Sequence, residues 1–502
     1  MTAGWLKPIP AVLFVATLAL YLAFPTKDFY WDGVGFAMVI DHPERFGMIL
    51  PNHPIYIGLG FLLHYLAQWI LPGVTGLQVL QAMDSVAGTV AVVLVYAIAK
   101  ELLDDAVDAV LLAALFALSG TWWKFATDAD AYIPSVMMLL IAARLLLPGR
   151  PAKPLTVAIL HVAAMLLHEL AVMFVIPSVT AIYLQSLPNR RRAITNIATY
   201  LSTAFILATA GYYASFHLAT GQSSLAQYVA WITYHTPGSD FSFNPAHDAW
   251  MTVRGTLRLV TGGRVGAFHA STLDLAAVLA LAALGTALLW RFGSHRDSQA
   301  TPVSVESGKG VLSRQAIVFL GVWMTAYIGF LLFWLPENTF YRVFYLPPLI
   351  LLAGYGFKKV GGRWLVYGVL VLLGAWNFLF FMLPHSRVES NPVLSAGLAM
   401  RPFWKPGTFV YQGSFIPDNW TIFCFNPQVR FKDLNPSQLN VTDTELKTFA
   451  DRGEQTWIDS SGIDLLESSA EGRDWLAAHT RPGFRHDLSD LKHKLRFDRL
   501  FP

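Results

Sequence analysis

Cysteine is nearly absent: Cys424 is the only one among 502 residues. This excludes an internal disulfide framework and a cysteine-rich metal site. Charge is scarce too, at 14% of residues against about 25% in ordinary soluble domains. The 36 Lys and Arg nearly balance the 33 Asp and Glu, for a formal net charge of +3. No basic block of the kind that neutralises a nucleic-acid backbone is present, so the reading includes no nucleic-acid partner. Internal repeats, low-complexity tracts and glycine-rich phosphate loops of the Walker or dinucleotide type are also lacking.

What is abundant is hydrophobic sequence, 54% of the chain. It falls into runs long enough to cross a hydrocarbon core about 30 Å thick. The expected spans are 8–24, 78–99, 106–123, 131–147, 155–167, 168–186, 195–217, 271–290, 313–334, 340–357 and 363–383. The first has a basic flank at Lys7, but no small-residue cleavage site follows, so it reads as a retained helix and not as a signal peptide. The stretch 54–71 carries His64 and Gln68 between Pro54 and Pro72. It either crosses or lies in the interface.

The positive-inside rule separates the two. With a cytoplasmic amino terminus and a non-crossing 54–71, the inner segments are 100–105, 144–153, the run Arg190-Arg191-Arg192, 291–314 and 358–363. Nearly every compact basic cluster then lies inside. Segment 100–105 is the weak member, because Glu101, Asp104 and Asp105 outweigh Lys100. Three segments fall outside: 25–77, 218–270, and everything after about residue 384. From His385 the chain turns polar, with strand-like pieces at 408–412 and 455–458 and a helical piece at 473–479. The expected organisation is a transmembrane domain over 1–384 and an extracytoplasmic α/β domain over 385–502, of a size that folds independently.

The polar chemistry gathers in the outer turns. The first outer loop holds Asp28, Asp32, Asp41, His42, Glu44, Arg45 and His53. Asp28 and Asp32 share a face if that piece is helical, and two such carboxylates suit a divalent cation or a general base. The bland alternative is a solvated loop. TWWKFATDADAYIPS places Asp128 and Asp130 between two spans. Capping of the next helix explains one acid but not the pair. LLHELAV sets His168 and Glu169 inside some thirty apolar residues, where they need a polar cavity. WLPENTFYRVFYLPP adds Glu337, Asn338, Tyr341 and Arg342, an arginine suited to headgroups or to a phosphate. Loop 218–270 adds Tyr234, His235, Asp240, His247, Asp248, Arg254 and Arg258, with Arg264 and His269 nearby, and suits a lid. These clusters all reach one side under a topology set by Lys and Arg alone.

The stretches WDGVGFA, NHPIYIGLGFLLHYL, TWWKFATDADAYIPSVMMLL and LLHELAVMFVIPS, with WLPENTFYRVFYLPP as a looser match, resemble the GT-C superfamily of membrane glycosyltransferases. Within it the likeness is to the protein O-mannosyltransferase type and its bacterial relatives. The resemblance implies an all-α polytopic fold of about eleven transmembrane helices plus an interfacial or re-entrant helix, with a small C-terminal α/β domain. It implies inverting transfer of a sugar from a polyprenyl- or dolichyl-phosphate donor to an acceptor hydroxyl of protein, lipid or glycan. The catalytic carboxylate maps to Asp32, with Asp28 the alternative. Asp130 and the His168–Glu169 region map to the donor site. The second acid of the family's first-loop pair falls near Gly35, which favours a single base over a metal bridge. No metal ligand set is assigned, and a divalent cation stays open as cofactor. From the residues, His53 joins the donor site, and Arg258 and Arg342 are the candidates for its phosphate. The Ala/Leu-rich style points to a bacterial inner membrane with a periplasmic site, or an ER membrane with a luminal one if eukaryotic. The rival readings are a transporter or flippase of an amphipathic substrate and a non-catalytic membrane scaffold. Transporters show repeats and midplane polar residues, and a scaffold leaves Asp128, Asp130 and Glu169 unexplained.

Overall fold

The computed structural model describes residues 8–43, 49–233, 241–262, 312–413, 417–489 and 494–502, with backbone only at 358, 360–363 and 417–419. The expected span 271–290, nearly all of the linker 293–312, and Glu44, Arg45, Tyr234, His235, Asp240, Arg264 and His269 lie outside these residues. The chain forms two compact units, Met1–Thr26 with Val39–Pro384, and Lys27–Met38 with His385–Pro502.

The first unit is a helical membrane domain. Its helices are α1 (Ile9–Ala23), the end of α2 (Trp31–Asp41), α3 (Tyr56–Gln68), α4 (Gly76–Leu103), α5 (Ala106–Ala117), α6 (Gly120–Ala126), α7 (Tyr132–Leu145), α8 (Pro154–Leu167), α9 (Val175–Ser186), α10 (Arg190–Thr220), α11 (Leu225–Ile232), α12 (Pro245–Thr261), α13 (Arg314–Phe333) and α14 (Leu346–Asn377). Among the described residues, six helical stretches are long and apolar enough to cross a membrane, and a bent pair makes a seventh. Helix starts follow local chemistry. Thr75 and Gln78 form a capping box at α4, Asp105 accepts two amides at α5, and Asn189 caps α10.

Two elements differ in detail from expectation, and a third accords with it. Span 106–123 is a broken one: α5 and α6 meet at 68°. The carbonyl freed at the break, Leu118 O, accepts from Asn377 Nδ2 at 2.6 Å. Helical backbone runs through 358–363, where a turn between two spans is expected; the stretch lacks proline, so nothing in it forces a stop. Helix α3 has 13 residues, about 20 Å of rise, and leaves Leu62, Tyr65, Leu66 and Trp69 exposed along its course and end. It is a short helix with an apolar outer face, in keeping with an interfacial segment.

The second unit contains a five-stranded sheet. Its strands are β1 (Phe409–Gln412), β2 (Arg430–Asp433), β3 (Thr456–Asp459), β4 (Thr480–Asp487) and β5 (Arg496–Leu500). The order is β2-β1-β3-β5-β4, with β2, β1 and β3 parallel and the last two strands antiparallel. Alternation along the strands splits the core in two. Val410, Trp457 and Phe497 pack with Val393, Met400 and Ile422, while Tyr411, Ile458 and Leu500 pack with Leu446, Leu466 and Trp475. The expected polytopic helical fold with a small C-terminal α/β domain is the fold observed.

Candidate functional site

The site in the first unit is built on a polar stripe of α4. Gln81, Asp84 and Ser85 are spaced so that they share one helix face, and all three are buried. Gln81 Nε2 donates to the carbonyls of Thr26 and Thr127 at 3.0 and 2.8 Å. Ser85 Oγ donates to Ala126 O at 3.0 Å. Asp84 Oδ2 accepts the Asp130 backbone N–H at 2.6 Å and the Tyr56 hydroxyl at 2.9 Å. The acid-bearing loop 126–130 is thus held by its backbone, and Asp128 and Asp130 are both buried within it. Helix α7 starts after Ala131 with no side-chain cap. Capping is therefore not what Asp130 does there.

Next to this loop, aromatic rings converge on His168. Tyr132, the first residue of α7, lies 4.6 Å from its ring, His53 4.8 Å, Phe344 5.4 Å and Tyr341 6.0 Å. His168 ends α8 in extended conformation, and its Nδ1 accepts the Leu170 N–H at 3.1 Å, so its proton sits on Nε2. His53 Nδ1 meets the Leu167 carbonyl at 3.2 Å, so its proton sits on Nδ1. Backbone bonds from Ile55 to Leu166 and from Glu169 to Asn52 join the two turns. Glu169 is half-buried in the first turn of a 3-10 segment, Glu169–Phe174.

Arg342 belongs to a second 3-10 segment, Phe340–Tyr345. It is fully buried, so it does not snorkel to headgroups as an outer arginine ordinarily does. Its Nη2 donates to Pro336 O at 2.8 Å and its Nη1 to the Tyr345 hydroxyl at 3.2 Å. Both acceptors are neutral, and among the described residues no carboxylate pairs with it. Gly255 of α12 lies against it: a Cβ there would stand 2.3 Å from Arg342 Nε. Arg258, one turn further along α12, is half-buried, and its carbonyl accepts from Thr121 Oγ1 at 3.2 Å. Near its end, α12 meets α6 backbone to backbone, since a Cβ on Gly120 would stand 2.4 Å from Gly262 Cα. Helix α12 is therefore packed into the domain, not laid over it as a lid.

Two carboxylates of the segments expected outside show how environment sets charge. Burial pushes the Asp41 carboxyl up, and the Gly76 amide with His64 and His42 offsets part of that. For Asp248 burial acts upward too, but hydrogen bonds from Ser242, His247 and the Asn244 amide outweigh it and hold the carboxyl below its ordinary value. Asp248 thereby serves the start of α12.

Asp28 and Asp32 lie in the second unit. Asp32 is half-buried in the first turn of α2, where a carboxylate is favoured by the free amides and the dipole. Asp28 precedes the helix, with Oδ2 3.4 Å from His385 Nε2. The two therefore do not share a helical face. No group of three or more potential ligands that could hold a metal ion occurs among the described residues.

In sum, His53, Asp130, His168 and the 336–345 turn are brought together within the first unit. Asp84 and Tyr56 were missed by sequence reasoning, although a lone acid inside an apolar span is itself a signal.

No family model matches the chain, and no curated protein matches it in sequence. Solved structures do match in fold. The crystal structure of ArnT from Cupriavidus metallidurans bound to undecaprenyl phosphate aligns with TM-score 0.61 and 10% identity, over 99% of this chain and 98% of that one. The same protein in its apo state aligns with TM-score 0.59 and 11% identity, over 97% of each chain. The likeness spans both units.

Proposed function

We propose that this protein is a GT-C-type glycosyltransferase that moves a sugar from a polyprenyl-phosphate donor to an acceptor hydroxyl on the extracytoplasmic face of a bacterial inner membrane. The observation that carries the reading is the whole-chain fold likeness to a protein crystallised with undecaprenyl phosphate. It gains weight from the convergence of His53, Asp130, His168 and Tyr341 within the first unit. A lipid phosphate needs donors and cations near the bilayer edge. His168, with its proton on Nε2, supplies a polar N–H group, and the His53 ring, its Nδ1–H bonded to Leu167 O, packs 4.8 Å from it. Arg342 supplies a buried cation with neutral acceptors only, and Arg258 a second one on the neighbouring helix. Asp130 and Glu169 shape the sugar side of the donor.

Asp32 is the proposed general base, with Asp28 as the alternative. It removes the proton of the acceptor hydroxyl as that oxygen attacks the anomeric carbon from the face opposite the departing lipid phosphate, inverting the centre.

The test uses full-length protein in lipid nanodiscs, offered a panel of undecaprenyl-phosphate sugars. Turnover or thermal stabilisation by at least one donor is expected. Asp32→Asn is expected to lower turnover at least 100-fold, the range of a lost general base, while donor-dependent stabilisation persists. No response of the wild type to any donor overturns the reading.

A further inference from the structure

The grip of α4 on loop 126–130 contains an asymmetry. Gln81 and Ser85 donate to carbonyls, an undemanding task for neutral side chains. The one amide of the loop held by this stripe, Asp130 N–H, is held by a carboxylate that is fully buried within a membrane-spanning helix. A charge-bearing side chain there is costly, and Asp84 Oδ1 has no hydrogen-bond partner. Nothing in the helix requires it, since α4 is capped at Thr75 and packed by its apolar faces. What Asp84 does achieve is convergent. One oxygen fixes both the Tyr56 hydroxyl, next to the His53 turn, and the backbone of Asp130, two residues before the Tyr132 ring that lies 4.6 Å from His168.

We infer that Asp84 is a positioning residue: its Oδ2 sets the backbone of Asp130, and with it the placement of the Asp130 carboxylate and the Tyr132 ring, for handling the lipid-linked donor. This rests on the transferase reading for its function, but the local geometry can be tested apart from it. The role is that of an acceptor, so asparagine, which keeps an oxygen in the same place, restores it, whereas alanine does not.

The experiment compares wild type, Asp84→Asn and Asp84→Ala as homogeneous full-length protein in nanodiscs, with rates normalised to folded molecules. The donor is whichever undecaprenyl-phosphate sugar turns over. Asp84→Ala is expected to lower kcat at least tenfold with KM changed less than threefold, and Asp84→Asn to restore kcat to within threefold of wild type. In parallel, hydrogen–deuterium exchange of peptides covering 127–133 is expected to show the Asp130 amide protected in wild type and Asp84→Asn and unprotected in Asp84→Ala. Unchanged kcat in Asp84→Ala overturns the inference. So does a loss in Asp84→Asn as large as in Asp84→Ala, which would assign the role to charge. If wild type turns over no donor, the transferase reading falls and exchange alone decides: an Asp130 amide equally protected in Asp84→Ala overturns the positioning, and selective loss supports it.

Discussion

Single residues decide this structure through space as much as through charge. Gly255 leaves room for the Arg342 guanidinium, and an added methyl would stand 2.3 Å from Nε and 2.9 Å from Cδ. Gly255→Ala is expected to destabilise by about 1–3 kcal/mol, the usual range for overpacking. Gly321, in the long helix α13, has nothing within 4 Å of an added Cβ. Gly321→Ala is expected to be neutral or to stabilise by up to about 1 kcal/mol through helix propensity. Thermal unfolding of the two variants side by side checks the contrast; equal midpoints would contradict the packing argument. At this scale the sequence was partly legible. His168 and Glu169 stood out because no apolar helix needs them. Asp84 did not, because one acid within the apolar run 78–99 scarcely alters the mean hydropathy of the span. The Asp128–Asp130 pair stood out as well, but what holds it did not, because the partner of the Asp130 amide lies 46 positions away.

At the scale of elements, apolar run length located the helices but not their breaks. The run 106–123 reads as one span, yet it bends by 68°. The bend is stabilised from outside the run. Asn377 Nδ2 donates to Leu118 O at 2.6 Å and to Val260 O at 2.8 Å, so one amide satisfies carbonyls of two other segments. No local pattern near 118 announces a partner 259 positions away. Asn377→Leu is expected to leave both carbonyls without that donor, at about 1–3 kcal/mol for each buried group. The measurement is the unfolding midpoint, with Asn377→Asp as a second variant that keeps shape but removes the donor. A midpoint unchanged in both would show that the bend does not depend on this side chain. The turns at 100–105 and 144–153 show the same logic. Glu101, counted as a liability in segment 100–105, accepts both Nε and Nη2 of Arg150 at 2.6 Å. Asp105 caps α5. Of the acids that weaken the charge count, one joins two turns and another starts a helix.

For the whole molecule, the polar clusters and the charged turns separate along the helices. Asp84 and Glu101 lie 17 residues apart on α4, about 26 Å along its axis, with the acid loop at one end and the Glu101–Arg150 pair at the other. We propose that the first of these ends faces outward. Cysteines placed singly at Trp69, 77% exposed, and at exposed Arg190, in a Cys424→Ser background, test this in intact cells with a membrane-impermeant maleimide. Labelling at 69 and not at 190 is expected. The reverse pattern, or equal labelling, would overturn the orientation and with it an extracytoplasmic transferase. Fold class was readable from run lengths and from the change of composition near residue 385, because bilayer thickness imposes both. The grip on loop 126–130 was not, because it depends on which face of α4 meets which backbone. The seam where Gly120 meets Gly262 has a further consequence. With main chains in contact at one point and Arg342 filling the space beside Gly255 at another, α12 has no side-chain slack on which to pivot. Any opening of this domain must occur elsewhere, and substitution of Gly120, Gly255 or Gly262 should be tolerated only where the opposing chain shifts to match.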